Sequence, residues 1–326
     1  MTGAGAAMHD GNRSPANHDH AAQDGGTDTP RTLRDPTTGR PVLLAPQRQQ
    51  RPQLTSGGEG ARRCPFCPGH EADTPAEVDA VRPVANAPNG PGWAARAFPN
   101  KYPANAHHEV IAEGNTHHDQ PADLDAKAWH AAVLLWQRRV AALERTPGLA
   151  TAFLFKNVGA LAGASIAHNH SQVLGLPELP PRLQLELATV RGLAECPWCA
   201  ALATAAGAGR LVHRGAHHSV LAPAVPKLPH ETWLLPHRCD DDFLTTDAAA
   251  LATSLHALFT AVAAGLGRPA FNLWLHRVPG ARFHWHFELQ PRTGQMAGLE
   301  LGGDMYINSL PPAVSAARLR AGLSQS

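Results

Sequence analysis

Two histidines separated by one residue form the part of this sequence best suited to chemistry. His168 and His170 lie in the segment 163–172, which reads GASIAHNHSQ. In an extended backbone, side chains two residues apart point the same way, so one imidazole could hold a metal or a strand end while the other faces a substrate. Gly163 and Ser165 could form a tight turn whose N–H groups and hydroxyl meet a phosphate. A plain histidine-rich strand end is the competing interpretation, because the chain has 20 histidines.

The cysteines add a second chemical pattern. They fall as Cys64-x-x-Cys67, Cys196-x-x-Cys199 and a single Cys239. Two thiolates on one tight turn can occupy two corners of a tetrahedral zinc site. An odd number of cysteines in paired CxxC spacing therefore favours metal ligation over a disulfide framework.

Length and charge limit the classes of protein to consider. The chain has 326 residues and a formal net charge of +1, enough length for two domains and too little positive charge for an electrostatic nucleic-acid partner. No segment approaches 18 consecutive apolar residues, and the start shows no charged residues followed by an apolar stretch. We expect a cytoplasmic protein that binds neither nucleic acid nor membrane.

Hydrophobic spacing predicts the elements that must position these residues. Residues 1–30 have almost no large apolar side chains, which predicts a disordered tail. The predicted strands cover residues 41–46, 108–113, 153–157, 230–235 and 271–276. The predicted helices cover residues 121–145, 181 to about 193, and 247–266. Asp123 is the candidate cap of the first helix.

Much of this order occurs twice. Each half contains a CxxC knuckle, a strand, a helix, a second strand and a paired-histidine segment, His168–Gln172 in one and His284–Glu288 in the other. Ser165 and Gln172 have no counterparts in the second half. The repeat predicts an α+β fold of two similar domains, residues 31–180 and 181–326, each an antiparallel sheet with packed helices.

These motifs together resemble the galactose-1-phosphate uridylyltransferase family of the histidine-triad superfamily. The family's active-site segment, Gly-x-Ser-x-x-His-Pro-His-x-Gln, is matched by residues 163–172. Further matches are Cys64-x-x-Cys67, Phe98-Pro99-Asn100, His108-Glu109-Val110-Ile111, His117 and Asn157, and the segment Met305–Asn308 resembles plant-type members acting on ADP-glucose. The resemblance spans roughly residues 31–320 and implies two tandem histidine-triad-like domains.

The resemblance implies covalent catalysis by His170. Its imidazole would attack the α-phosphorus of a nucleoside diphosphate sugar, and the nucleotidyl group would then pass to a phosphorylated acceptor. Ser165 and Gln172 would stabilise the phosphoryl oxygens. Hydrolytic histidine-triad proteins carry a third histidine where this chain has Gln172, so the resemblance favours transfer over hydrolysis. Asn169 replaces the usual proline, which we expect to loosen the backbone beside the nucleophile.

The resemblance also implies zinc in both halves. The first site would consist of Cys64, Cys67, His117 and His168, with His118 as the alternative to His117. The second would consist of Cys196, Cys199, Cys239 and His284. A competing assignment for the second half is an iron-type site of His276, His284 and His286, as in bacterial members.

Phe98, Asn100 and Asn157 match family positions near the nucleotide, together with Ser165 and Gln172. The expected substrates are nucleotide sugars and sugar phosphates, and the expected assembly is a homodimer. We predict an enzyme of carbohydrate (galactose) metabolism, a nucleotidyltransferase moving a nucleoside monophosphate from a UDP-glucose-type donor to a hexose 1-phosphate. One alternative is a phosphorylase in which phosphate accepts the nucleotide from an ADP-sugar or a dinucleoside polyphosphate. Another is a zinc-stabilised nucleotide-binding protein without turnover.

Overall fold

The structure is a computed structural model that describes residues 29–51, 63–83 and 87–324. The predicted disordered tail, residues 1–30, lies outside the described residues except for its last two. The described chain contains twelve strands and six α-helices. The strands are β1 Arg31–Arg34, β2 Pro41–Leu44, β3 Asp79–Val81, β4 Ala95–Pro99, β5 His108–Glu113, β6 Thr151–Val158, β7 His170–Leu176, β8 Leu211–Arg214, β9 His218–Leu221, β10 Thr232–Pro236, β11 Phe271–His276 and β12 His286–Pro291. The helices are α1 Ala126–Glu144, α2 Pro181–Arg191, α3 Pro197–Ala205, α4 Ala248–Leu266, α5 Gly298–Gly303 and α6 Pro312–Leu323.

Ten strands form one antiparallel sheet in the order β3-β4-β5-β7-β6-β11-β12-β10-β9-β8, and β1 and β2 form a separate hairpin. The first five strands of the large sheet come from residues 79–176 and the last five from residues 211–291. Pairing of β6 with β11, including Asn157 opposite Asn272, makes the sheet continuous between these halves. The predicted α+β class with antiparallel sheets and packed helices is confirmed. The division into domains at residue 180 stays a prediction.

The main hydrophobic core lies on one face of the sheet, under α1, α4 and α6. Trp129 and Trp136 of α1 are fully buried there, as their helical spacing predicts, and Trp129 stacks on Phe259 of α4 with ring centroids 4.8 Å apart. By length and mean hydropathy of 1.6, α4 could cross a membrane. Its buried residues pack against α1 and α6, however, which is the arrangement of a core helix.

The opposite face of the sheet carries the predicted nucleophile. Two smaller apolar clusters lie there, one around Phe66 and Phe98 and one around Trp198 and Phe283. Alternation along β7 places His170 and Gln172 on this face and Ser171 and Val173 toward the helices. The sheet therefore separates the helical core from the surface that holds the histidine pairs.

Most predicted elements occur, with corrections at their ends. The strands β5 and β11 have the predicted bounds, whereas β2 ends at Leu44 and β10 begins at Thr232. Helix α1 begins at Ala126 and is capped by Asp125, whose side chain accepts from the Ala128 N–H, so the cap prediction of Asp123 is wrong. Strand β7 begins at His170 and β12 at His286, so the first histidine of each pair precedes its strand. The second knuckle differs from the first because Cys199 lies inside α3.

Candidate active site and metal centres

A cavity of about 510 Å³ lies over the beginning of β7. It is lined by five of the predicted site residues: Phe98, Asn100, Ser165, His170 and Gln172. Both polar and apolar side chains line it, as in sites that hold a small molecule in one orientation. The structure therefore brings the predicted nucleophile, its predicted phosphate donors and two predicted nucleotide contacts to one cavity.

The His170 imidazole is oriented by its own backbone. Its Nδ1 lies 2.8 Å from the His168 carbonyl oxygen, so Nδ1–H donates and the lone pair remains on Nε2. The Phe66 ring lies edge-on to the imidazole, with centroids 5.3 Å apart. Burial lowers the pKa of His170 to about 3, and the hydrogen bond to the His168 carbonyl opposes that shift only in part. The imidazole is therefore neutral at physiological pH, as a nucleophile requires.

Gln172 follows His170 by two residues in β7, and two side-chain nitrogen atoms lie near its Oε1. His108 Nε2 is 2.9 Å away and Asn100 Nδ2 is 3.4 Å away. The family resemblance places His108 in a strand motif and does not make it a partner of Gln172. Because His108 and Gln172 face the same side of adjacent strands, period-two alternation could have suggested that the two strands share this face.

Cationic groups that the sequence analysis missed also line the cavity. Arg51 donates to the Gly163 carbonyl oxygen at 3.0 Å, and Arg51 and Lys101 both face the cavity. Gly163 adopts a left-handed conformation, with φ of 81°, at the end of the turn that precedes Ser165. The chain thus adds positive charge to the lining of the cavity that holds the predicted nucleophile. No motif around Arg51 indicated this, because the contact joins segments far apart in sequence.

Asn157 lies apart from the other predicted nucleotide residues. It lines a neighbouring cavity of about 360 Å³ on the same face, over β6 and β11. Its Oδ1 accepts from Asn272 Nδ2 at 2.7 Å, and the same Nδ2 group also donates to the Ala162 carbonyl oxygen at 2.9 Å. Asn157 is therefore tied to the turn leading to Ser165 rather than to the cavity over His170.

The first predicted metal set converges. Ligand atoms of Cys64, Cys67, His117 and His168 all lie within 4.8 Å of one another. His168 donates through Nε2 to the Gly114 carbonyl oxygen at 3.1 Å, so its Nδ1 lone pair faces Cys67 Sγ at 3.6 Å. Burial raises the pKa of the Cys64 thiol to about 11, and a bound cation would oppose this by favouring the thiolate. The donor set and its outer hydrogen bond fit a tetrahedral zinc ion.

His118 takes another role. Its carbonyl oxygen accepts from both the backbone N–H and the side-chain Nδ2 of Asn169, each at 2.9 Å. The Glu113 N–H in turn donates to the Asn169 carbonyl oxygen at 2.9 Å. The expected loosening at Asn169 is therefore opposed by three hydrogen bonds, and proline could supply neither of the two that Asn169 donates.

The second set brings together Cys196, Cys199 and His284. His284 Nδ1 lies 3.4 Å from Cys196 Sγ and 3.7 Å from Cys199 Sγ, while its Nε2 donates to the Pro236 carbonyl oxygen at 2.9 Å. Cys239 lies nearby: together with Cys196 and His284 it lines a cavity of about 70 Å³. Its thiol is nevertheless outside the group of mutually close ligand atoms. Burial raises the pKa of Cys199 to about 12, with the thiols of Cys196 and Cys239 adding to the shift.

A third group contains the remaining histidines of the competing assignment. His276 and His286 meet Glu186 and Glu288, with His276 Nδ1 2.9 Å from Glu186 Oε2 and His286 Nε2 3.6 Å from Glu288 Oε1. These four ligand atoms are buried, and within the described ranges none of them makes a hydrogen bond of acceptable angle, although His276 and Glu186 are close enough for one. Neither glutamate was among the predicted site residues. Glu288 follows His286 by two residues in β12, so alternation could have found it, whereas nothing in sequence linked Glu186 to the group.

Comparison with known proteins agrees with this geometry. Residues 140–326 match the family described as domain of unknown function (DUF4921), and residues 96–179 match the DUF4931 N-terminal domain. ADP-glucose phosphorylase of Arabidopsis thaliana is 26% identical over 338 residues, covering 90% of this chain and 95% of that protein. Galactose-1-phosphate uridylyltransferase of Thermotoga maritima is 26% identical over 313 residues, covering 88% and 96%.

A solved structure shows that the similarity extends through the fold. The crystal structure of the Arabidopsis thaliana ADP-glucose phosphorylase with bound ADP-glucose has a TM-score of 0.72 and 26% identity, covering 90% of this chain and 99% of that chain. These relatives support an enzyme of the nucleotidyltransferase and phosphorylase type. The chain belongs to the family described as domain of unknown function (DUF4921), within the group of proteins that resemble galactose-1-phosphate uridylyltransferase.

Proposed function

We propose that this protein transfers a nucleoside monophosphate from a nucleoside diphosphate hexose to a phosphorylated acceptor through His170. One observation carries the proposal: a neutral imidazole, whose Nε2 makes no hydrogen bond within the described residues, lines the same cavity as Ser165 and Gln172. A nucleophile with adjacent donors for phosphoryl oxygens is what a covalent double displacement needs.

The reaction proceeds in two balanced displacements. His170 Nε2 forms a bond to the α-phosphorus, and the bond from that phosphorus to the bridging oxygen breaks, so sugar 1-phosphate leaves with the electron pair. An oxygen of the acceptor phosphate then attacks the same phosphorus, and the P–N bond breaks, which returns the lone pair to His170. Ser165, Gln172, Arg51 and Lys101 would stabilise the negative charge of the phosphoryl oxygens in both steps.

The leading acceptor is a hexose 1-phosphate and the leading donor a UDP-glucose-type sugar, as in the uridylyltransferases. A phosphorylase, with phosphate as acceptor and an ADP-sugar as donor, is the second candidate. The similarity to the Arabidopsis thaliana ADP-glucose phosphorylase favours this candidate, because it extends over 90% of this chain and 95% of that protein. Both reactions begin with the same displacement by His170 and differ in the acceptor that takes the nucleotidyl group in the second step.

The test is intact-protein mass after separate exposure to UDP-glucose, UDP-galactose and ADP-glucose. We expect a nucleoside monophosphate adduct that is absent in His170→Ala and is discharged by either a hexose 1-phosphate or inorganic phosphate. The donor that labels identifies the base, and the acceptor that discharges identifies the reaction. Nucleotide binding without an adduct from any donor would instead support a binding protein without turnover.

We also propose zinc at Cys64, Cys67, His117 and His168, and at Cys196, Cys199 and His284 with Cys239 as fourth ligand. Zinc at the first site would hold the chain just before His170 and supply rigidity rather than a reacting group. Because His284 lies with the cysteines, an iron-type site would use Glu186, His276, His286 and Glu288 instead, and the two sites need not exclude each other. Metal analysis of the purified protein should give two zinc ions, with any third metal lost in His276→Ala.

Two further properties are part of the proposal. A cytoplasmic location fits the five cysteines, which form no disulfide with one another in the described chain. A homodimer fits the exposed apolar side chains of Leu301, Met305 and Ile307, which are 63–69% exposed. Sedimentation of the purified protein tests the second point.

A further inference from the structure

We infer that His108 is a positioning residue that, together with Asn100, fixes the orientation of the Gln172 amide so that its NH₂ group faces the cavity. The inference rests on the proposed function for its catalytic consequence, because a fixed donor is useful only if a phosphoryl oxygen occupies the cavity. Its structural part stands on hydrogen bonds among described residues alone.

A backbone N–H group determines which nitrogen of His108 carries the hydrogen. The Ala104 N–H lies 2.9 Å from His108 Nδ1, and a backbone N–H can only donate. His108 Nδ1 must therefore carry a lone pair. Burial lowers the pKa of His108 to about 4, so the ring is neutral at physiological pH and its single hydrogen is on Nε2. The group 2.9 Å from Nε2 must then be an acceptor, which identifies it as Gln172 Oε1 rather than the amide nitrogen.

Asn100 is oriented in the same way. The Tyr102 N–H donates to Asn100 Oδ1 at 2.8 Å, so the other branch of the Asn100 amide is its NH₂ group. This NH₂ group lies 3.4 Å from Gln172 Oε1 and 3.3 Å from His108 Nε2. The second distance joins two donors, which lie close because they share the Gln172 oxygen as acceptor.

The Gln172 oxygen therefore accepts from two groups that can only donate, His108 Nε2–H and the Asn100 NH₂ group. The amide nitrogen has no hydrogen-bond partner in the described part of the chain, and Gln172 lines the cavity with His170. A freely rotating glutamine could present either its oxygen or its NH₂ group, and the oxygen would repel a phosphoryl group. The loop of Asn100 to Ala104 thus makes Gln172 an obligate donor for an anionic ligand.

Two substitutions at His108 separate the two hydrogen bonds. In His108→Gln the amide nitrogen reaches about as far as Nε2, so donation to Gln172 is retained. In His108→Asn the amide oxygen can still accept from Ala104, but the donor to Gln172 is lost. We expect the single-turnover rate of adduct formation at saturating donor to fall by about 10- to 100-fold in His108→Asn and by roughly threefold or less in His108→Gln, with little change in donor affinity.

The same substitution in a second background tests whether His108 acts through Gln172. His108→Asn should cost nothing further when combined with Gln172→Ala. His218→Asn is the matched control: it removes another buried histidine, on β9, and should lower the melting temperature without slowing adduct formation. Equal losses in both His108 variants, or a further tenfold loss in the Gln172→Ala background, would overturn the inference.

A measurement on the wild-type protein does not depend on activity. Nitrogen-15 NMR should show His108 with hydrogen on Nε2 and a lone pair on Nδ1, with its signals identified by their absence in His108→Gln. The opposite tautomer would overturn the inference even if catalysis proceeds. If no donor labels His170 but this tautomer is found, the proposed function fails while the orientation of Gln172 stands.

Discussion

A buried ion pair beneath the nucleophile offers a quantitative test of the fold. Glu113 on β5 accepts from Lys156, from the Ser171 hydroxyl and from Trp136 Nε1, the last at 3.0 Å. The side chains of Lys156 and Glu113 are 1% and 0% exposed. Lys156 Nζ also donates to the His170 carbonyl oxygen at 3.0 Å, so the pair supports the strand that carries the nucleophile. Burial lowers the pKa of Lys156, and the Glu113 charge opposes that shift.

Removing one charge should cost far more than removing both. Glu113→Gln retains an acceptor for Ser171 and Trp136 but leaves the Lys156 ammonium unpaired, and breaking a buried pair in this way costs about 3–5 kcal/mol of unfolding free energy. Lys156→Met leaves an unpaired carboxylate and should cost a similar amount. In Glu113→Gln/Lys156→Met no charge remains, and we expect a loss below about 2 kcal/mol, because apolar or neutral replacements of buried pairs are often close to neutral.

Urea unfolding of the metal-loaded proteins, followed by tryptophan fluorescence, measures the three free energies. For a chain of this size, a loss of 1 kcal/mol in unfolding free energy lowers the melting temperature by about 2 °C. In thermal unfolding the single variants should therefore melt roughly 6–10 °C below the wild type. The double variant should be more stable than either single variant. If its loss equals the sum of the two single losses, Lys156 and Glu113 are not a coupled charged pair and the reasoning is wrong.

Three further predictions concern metal, backbone and pH. Cys64→Ala should lower the zinc content by one equivalent and the melting temperature with it, as metal analysis and calorimetry would show; unchanged zinc would exclude Cys64 as a ligand. Asn169→Pro removes two donated hydrogen bonds and should cost about 1–3 kcal/mol, so a variant more stable in urea than the wild type would contradict the anchoring role of this residue. His108, His170 and His218 have pKa values held at about 4, 3 and 4 by burial. As pH falls from about 6.5 toward 4, unfolding takes up protons at these sites, and stability should fall by about 1.4 kcal/mol per pH unit for each; a flat urea midpoint across this range would refute the burial of these rings.

Local sequence predicted elements well where local interactions decide their ends. β5 and β11 were predicted to the residue, because apolar runs there end at glycine or turn-forming segments. The start of α1 was missed because Asp123 and Asp125 are both capping residue types. The structure places Asp123 in a preceding turn, where it pairs with Arg268, a residue 145 positions away that no local pattern could reveal.

The sequence by itself determined the class of fold and the main chemical groups. Spacing alone identified His168-x-His170, both CxxC pairs and the repeated order of elements, and the family resemblance added roles for Ser165 and Gln172. The structure contains these features because they depend on backbone periodicity and on short segments, which residue type and spacing control directly.

Only the tertiary structure decided which distant groups meet. His117 lies with Cys64 and Cys67, whereas the carbonyl oxygen of His118 accepts from Asn169. Asn157 lies outside the cavity over His170. Glu186 lies with the histidines and the glutamate of β11 and β12. Each of these outcomes depends on loop paths or on the order of strands in the sheet. Such contacts are set by packing between segments far apart in the chain, and the free energies that select them are not encoded in any one segment.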